Sequence, residues 1–316
     1  MNKFKISHLL LLFGIVVFVL SCNKTDNSQT QDNENSLLKS YLSTNNITTS
    51  PTASGLYILP QKEGTGASPQ TGDFVLLNYS AKWLSDGALY DTNDTIIANL
   101  KKIAMFQPIG GPFKFVIGSY IWGIGLSEGI HGLKEGGSAR FIIPSILWNS
   151  DYSTRIYDVE LLKVYKDPFT FEQQQISYYL DSISTVLNIT PKLTLADSTK
   201  KGTTGVFYIE TLKGTGDSIV DSKTVTLAYK GFLLPYKGLS KERKFDSSTS
   251  LKTILNNTST ILGFAEGIRH MRKGGKAIVV IPYHRGYGAD IQSFYNQILV
   301  PQYSTLVFTL EITDVF

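Results

Sequence analysis

The stretch ILGFAEGIRHMRKGGKAIVVIPYHRGYG, residues 261–288, sets an aromatic ring, Phe264, and a phenol, Tyr287, where they can line one cavity. An apolar hollow edged by a hydroxyl suits holding and orienting an apolar group. Other chemistries gain little from the spacing. His8, His131, His270 and His284 form no i,i+4 pair and no Cys-x-x-Cys exists, so no zinc site is expected. Gly123-Ile124-Gly125-Leu126-Ser127-Glu128-Gly129 resembles a dinucleotide loop, but its third glycine is misplaced and no βαβ context follows. Neither a metal nor a cofactor is expected.

The elements that must position Phe264 and Tyr287 can be read from period and punctuation. Phe264, Ile268 and Met271 share one face of a short helix. Lys273-Gly274-Gly275 is expected to stop it, glycine being at ease in the left-handed dihedrals of a helix end. Ala277 to Ile281 is an unbroken apolar run, as in a strand buried on both faces. Pro282 ends that strand, and Gly286-Tyr287-Gly288 turns the chain.

A chain of 316 residues is too long for one small core and implies two domains. Its net charge of +4 is small and no Lys/Arg block occurs, which argues against a nucleic-acid partner. Lys3 and Lys5 precede an apolar run, Leu9 to Leu20, and then Ser21-Cys22. This resembles a bacterial lipoprotein signal, with residues 1–21 removed and Cys22 lipidated; a plain secretory signal or a short anchor is the competing reading. The resemblance implies a lipid-anchored protein of the cell envelope. Polar residues 23–36 read as a flexible tether, followed by a short helix with Leu37, Leu38, Tyr41 and Leu42 on one side, all within residues 22–50.

Two copies of one plan follow. Gly55 and Gly205, Gly64 and Gly214, and Tyr79 and Tyr229 are each 150 residues apart. Glu128 and Glu266, Gly136 and Gly274, and Pro144 and Pro282 are each 138 apart, and Tyr157 and Phe308 are 151 apart. Domains at 51–166 and 201–316 are expected, joined by a helix (Phe171 to Leu187) and a linker over 167–200. Each copy reads as α+β, with short, mostly antiparallel strands around one short helix.

The ordered set Tyr229-Lys230-Gly231, Lys244-Phe245-Asp246-Ser247-Ser248, Ile261 to Gly267, Gly286-Tyr287-Gly288 and Leu306-Val307-Phe308 resembles the FKBP-type peptidyl-prolyl isomerases. The resemblance covers nearly all of 201–316 and, more weakly, about 52–166. It implies in each domain a bent antiparallel sheet wrapped around a short helix, with a proline pocket between them. It also implies catalysis of X–Pro isomerisation in proline-containing clients such as exported proteins. In the second domain Tyr229, Phe245 and Phe308 become aromatic walls and Phe264 the floor, where the family usually has tryptophan. Ile261 would offer its N–H and Tyr287 its hydroxyl to substrate, and Asp246 would stand beside the twisted amide. Leu251 and Thr253 replace phenylalanines, and Leu299-Val300 belong to the overhanging loop. In the first domain Tyr79, Tyr90, Asp91, Phe113, Phe115 and Tyr157 match, but Leu126 stands at the floor, Gly123 opposite Ile261 and Asn149 opposite Tyr287. That domain is expected to keep the fold with a non-catalytic site, its 92–112 insertion serving as a surface for an envelope partner. The alternative is a non-catalytic chaperone or binding scaffold built from both domains.

Overall fold

The computed structural model describes residues 25–103, 111–197, 204–234, 236, 243–255, 260–294 and 297–316; the leader and Cys22 lie outside them. The chain is α+β, with two antiparallel sheets of matching topology. The first contains β1 (Tyr57–Lys62), β2 (Phe74–Trp83), β3 (Leu89–Thr92), β4 (Phe113–Val116), β5 (Ser138–Ile143) and β6 (Arg155–Tyr165). Its order is β1-β5-β6-β2-β3, with β4 also pairing with β2. The second contains β7 (Phe207–Leu212), β8 (Thr224–Leu233), β9 (Arg243–Ile254), β10 (Lys276–Ile281) and β13 (Leu306–Val315), in the order β7-β10-β13-β8-β9. A separate hairpin pairs β11 (Gln292–Phe294) with β12 (Gln297–Val300). The unbroken β9 corresponds to β3 and β4 together, which the insertion carrying α2 (Thr95–Lys101) separates.

One face of each sheet receives one short helix, α3 (Ile124–His131) or α5 (Leu262–Arg269). Close seating of α5 depends on Gly267, where an added Cβ would lie 2.7 Å from Val279 of β10. The helix ends at Arg269, earlier than the glycine pair suggested, because the backbone turns at His270. Gly274, at φ +81°, instead makes the turn into β10. That strand explains its unbroken apolar run: Val279 faces the α5 side, while Val280 packs on the opposite face.

Helix α4 (Pro168–Val186) covers that opposite face. Asp167 caps it by accepting the Thr170 N–H at 2.7 Å, and Pro168 occupies the first turn, where no donor is required. Ile176 and Leu180 are fully buried against Phe207, Ile209, Val280 and Val307, each worth about 1.5–3 kcal/mol. The first domain repeats the arrangement with α1 (Thr25–Thr44), whose Leu38, Tyr41 and Leu42 pack on Leu84, Ile142 and Ile156. The tether expected at 23–36 is therefore helical from Thr25. Its polar composition concealed Glu34, a buried carboxylate that ties the helix down. Leu37, expected on the packed side, is 46% exposed.

Glu34 and Glu172 occupy equivalent places, 138 residues apart. Glu34 Oε1 accepts the Ser145 N–H at 2.8 Å and the Thr154 hydroxyl at 2.7 Å, and Oε2 accepts the Ser145 hydroxyl at 2.7 Å. Glu172 Oε1 accepts the Tyr283 N–H and the Thr305 hydroxyl, both at 2.6 Å. Each carboxylate thus docks its helix onto the short 3-10 turn after Pro144 or Pro282. The repeating unit is a helix plus a sheet domain.

Burial pushes the Glu172 carboxyl above its ordinary range, against the pull of the Thr305 and Tyr283 hydrogen bonds. The folded state therefore keeps this proton to a higher pH than the unfolded chain. Its contribution to stability falls as pH rises from the ordinary glutamate range through the raised value. Melting temperatures over that window should decline more steeply for the native chain than for Glu172→Gln, which cannot titrate. Parallel slopes would remove Glu172 as the source.

Candidate active site

Strands β8, β9 and β13 and helix α5 bring the second-domain residues into one aromatic cup. Phe264 and Phe308 form its buried base, 5.0 Å apart between ring centres and tilted 68°. Tyr229 meets Phe264 edge-on at 5.5 Å, and Phe245 meets Phe308 edge-on at 5.6 Å. Such edge-to-face contacts fix ring orientation and contribute about 0.5–1.5 kcal/mol beyond area burial. Gly231 lets the last pair settle over β8, because a Cβ there would lie 2.7 Å from Phe308 and 2.9 Å from Phe245. Tyr229, Phe245, Leu251, Ile261, Tyr287 and Leu299 form a half-buried rim against this base. Val300 is buried beneath it, and Thr253 is buried as well.

The polar groups of the cup sit on one side. The Tyr229 hydroxyl donates to Asp246 Oδ2 at 2.6 Å, and Asp246 Oδ1 accepts the Ser247 N–H at 2.8 Å. Burial and the Asp246 carboxylate raise the Tyr229 phenol well above its ordinary value. Burial and the same charge also raise Tyr287. Both phenols stay protonated, and so able to donate, at neutral pH. Among the described residues the Tyr287 hydroxyl has no hydrogen-bond partner. Ile261 caps α5 in extended conformation, its carbonyl accepting from Phe264 and Ala265. Its own N–H precedes the helix and faces no described partner.

The first domain keeps the polar pair and encloses it. Tyr79 donates to Asp91 Oδ2 at 2.6 Å, as Tyr229 does to Asp246. Here both partners are buried, and the cavity between Tyr79, Asp91, Phe113, Trp122, Leu126 and Tyr157 holds about 10 Å³. That is room for roughly one water molecule. No proline ring fits. Trp148 stacks on Tyr157 at 5.3 Å, and Tyr90 donates to the Tyr157 hydroxyl at 3.1 Å. The buried guanidinium of Arg155 lies between Trp83 and Trp148, 4.9 and 5.0 Å from their ring centres. Asp151 holds that guanidinium at 3.0 Å. Phe115, matched from sequence to this site, is wholly enclosed in the core and does not line the cavity.

This seal of Trp83, Trp122, Trp148 and Arg155 lies outside the site residues expected from sequence. A signal was available: the chain has three tryptophans, and all fall in the first domain. Gly125-Leu126-Ser127-Glu128-Gly129 also fits the Gly-x-Ser-x-Gly spacing of a nucleophile elbow. It lies within α3, away from any strand-to-helix turn, and its buried Ser127 hydroxyl accepts the Gly118 N–H at 2.7 Å.

A family model described as FKBP-type peptidyl-prolyl cis-trans isomerase matches residues 66–162 and 216–313. The FKBP-type peptidyl-prolyl cis-trans isomerase FkpA of Buchnera aphidicola is 32% identical over 116 residues, 37% of this chain and 44% of that protein. FkpA of Escherichia coli is 35% identical over 119 residues, 37% of this chain and 40% of that protein. An FK506-binding protein of Neisseria meningitidis serogroup B is 33% identical over 117 residues, 35% of this chain and 98% of that protein. The match thus spans less than half the length of the FkpA relatives. A crystal structure of FkpA from E. coli aligns at 28% identity with a TM-score of 0.31, over 46% of this chain and 63% of that one.

The two tyrosine–aspartate pairs differ in burial, which separates their effects on stability. Tyr79→Phe removes a donor from a buried carboxylate and is expected to cost about 1–3 kcal/mol. Tyr229→Phe leaves Asp246 open to water and is expected to cost less than about 1 kcal/mol. Urea unfolding of the two variants checks the order, and equal losses would contradict it.

Proposed function

The chain belongs to the FKBP-type peptidyl-prolyl cis-trans isomerase family, and from that premise we propose that it isomerises X–Pro bonds at the cup of the second domain alone. The single observation carrying this reading is a contrast in burial: Tyr229, Phe245 and Tyr287 are half-buried and Asp246 is exposed in the second domain, whereas Tyr79, Asp91 and Tyr157 are buried around a cavity of about 10 Å³ in the first. The reaction needs no nucleophile. Rotation about the amide is slow because it breaks resonance, at a barrier of ~18–20 kcal/mol. Phe264 and Phe308 would receive the pyrrolidine, with Tyr229 and Phe245 against its sides. An apolar wall disfavours the charge-separated planar amide relative to the twisted one. The Tyr287 hydroxyl and the Ile261 N–H would hold substrate carbonyls as the bond turns, and such fixed donors require no reorganisation. Asp246 acts through its field and its hold on Tyr229, with no proton transferred.

The clients we infer are exported polypeptides with accessible prolines, met at the cell envelope. The leader read from residues 1–22 supports that address, with Cys22 as the lipid acceptor. Radiolabelled palmitate should enter the native protein and not Cys22→Ser; label retained in the variant would end the lipoprotein reading.

The full-length chain should accelerate isomerisation of a short X–Pro peptide. Phe264→Ala should lower kcat/KM roughly tenfold, equivalent to ~1.4 kcal/mol of transition-state stabilisation. Tyr287→Phe should lower it by a smaller factor, and Tyr90→Phe in the sealed site should leave it unchanged. A native chain no faster than buffer would refute catalysis. The second reading, a non-catalytic scaffold with a partner on the insertion, draws on Ile96 and Leu100 of α2, 70% and 77% exposed. Client binding that survives Phe264→Ala but not Ile96→Ser/Leu100→Ser would favour it.

A further inference from the structure

We propose that the sealed first domain and helix α4 hold the flap over the second-domain cup, so that the worn copy positions part of the working one. The inference rests on the cup being the substrate site. The flap is the β11–β12 hairpin with the turn that follows it. Its two strands have three and four residues, too few for a hairpin to be stable alone in water. Anchors must therefore come from outside.

Three sets of contacts supply them. Ile298 of β12 is 1% exposed and belongs to the hydrophobic core of the first domain, against which Ile291 also packs. The next residue, Leu299, packs on the second-domain cup. Adjacent side chains of one short strand thus bridge the two domains. Beyond the hairpin, Gln302 donates to the Lys114 carbonyl at 3.0 Å, and Lys114 Nζ donates to the Tyr303 carbonyl at 3.3 Å. The Tyr303 ring stands edge-on to Phe74 of the first domain at 5.7 Å. Glu172 of α4 then grips Tyr283 and Thr305, on either side of the whole segment.

The cup is coupled to the same strand from its own side. Arg243 of β9, two residues before the rim residue Phe245, donates to the Ile298 carbonyl at 3.0 Å. An Ile298 held in the first domain therefore fixes both the flap and the start of the strand carrying the rim. Ile298 is a positioning residue by this account. A flap ordered beforehand spares the substrate the entropy of ordering it, so the benefit appears mainly in binding.

The test uses the full-length chain with Ile298→Ser, Ile298→Val and, as a control for general damage, Ile142→Ala. Ile142 lies in a separate apolar cluster of the first domain, beneath α1. Ile298→Ser should raise KM for an X–Pro peptide roughly fivefold while leaving kcat within about twofold. Amide exchange in residues 297–300 should quicken at least about tenfold. Ile298→Val should restore both, and Ile142→Ala should lower the melting temperature while altering neither. Native amide protection in Ile298→Ser, or the same loosening in Ile142→Ala, would overturn the proposal. The exchange measurement decides it whether or not the chain is active, whereas an inactive native chain with a loosened Ile298→Ser flap would count against the proposed function alone.

Discussion

A carboxylate taken out of water must find donors, and this fold uses that demand twice. Glu34 and Glu172 each stand on a helix whose packing against its sheet is otherwise carried largely by apolar side chains. Apolar packing is tolerant of sliding, whereas a buried charge accepts few geometries, since an unpaired one is costly. Each glutamate therefore sets where its helix lies and fixes the turn after Pro144 or Pro282. In the second domain that turn leads directly to Tyr287. The outer helix, the sheet and the rim of the cup form one mechanical unit.

With the scaffold held in common, the two copies separate what belongs to the fold from what belongs to the site. The tyrosine–aspartate bond has the same length in both, so it does not by itself make a pocket. Trp122 and Trp148 fill the first site where Thr260 and Gly286 stand in the second. The 151-residue pairing also places Arg155 opposite Leu306, so the cation between the tryptophans has only an aliphatic counterpart.

Much of this was legible in the sequence because it depends on period or order. The apolar run of β10, the helical face of α5 and the offset copies announce themselves through residue type alone, whereas the grouping of Tyr229, Phe245, Phe264 and Phe308 follows only from the family resemblance of the ordered set. What escaped depends on partners distant in the chain. Glu34 looks like any polar residue in a polar stretch until Ser145 and Thr154, more than a hundred positions away, turn out to be its donors. Ile298 reads as one apolar residue in a loop, and nothing nearby says that it belongs to another domain's core. The sealing of the first site was foreseen only as wear at Leu126, Gly123 and Asn149, because stacking between Trp83, Arg155 and Trp148 requires three elements to meet.

The confinement of every indole to one half of the molecule makes the two halves optically unequal. Light absorbed selectively by tryptophan reports on the N-terminal copy, and emission from the stack around Arg155 will change when that copy opens. Loss of structure confined to the C-terminal copy passes almost unseen in this channel and must be followed through its tyrosines. A single emission trace from this chain is therefore the record of one domain.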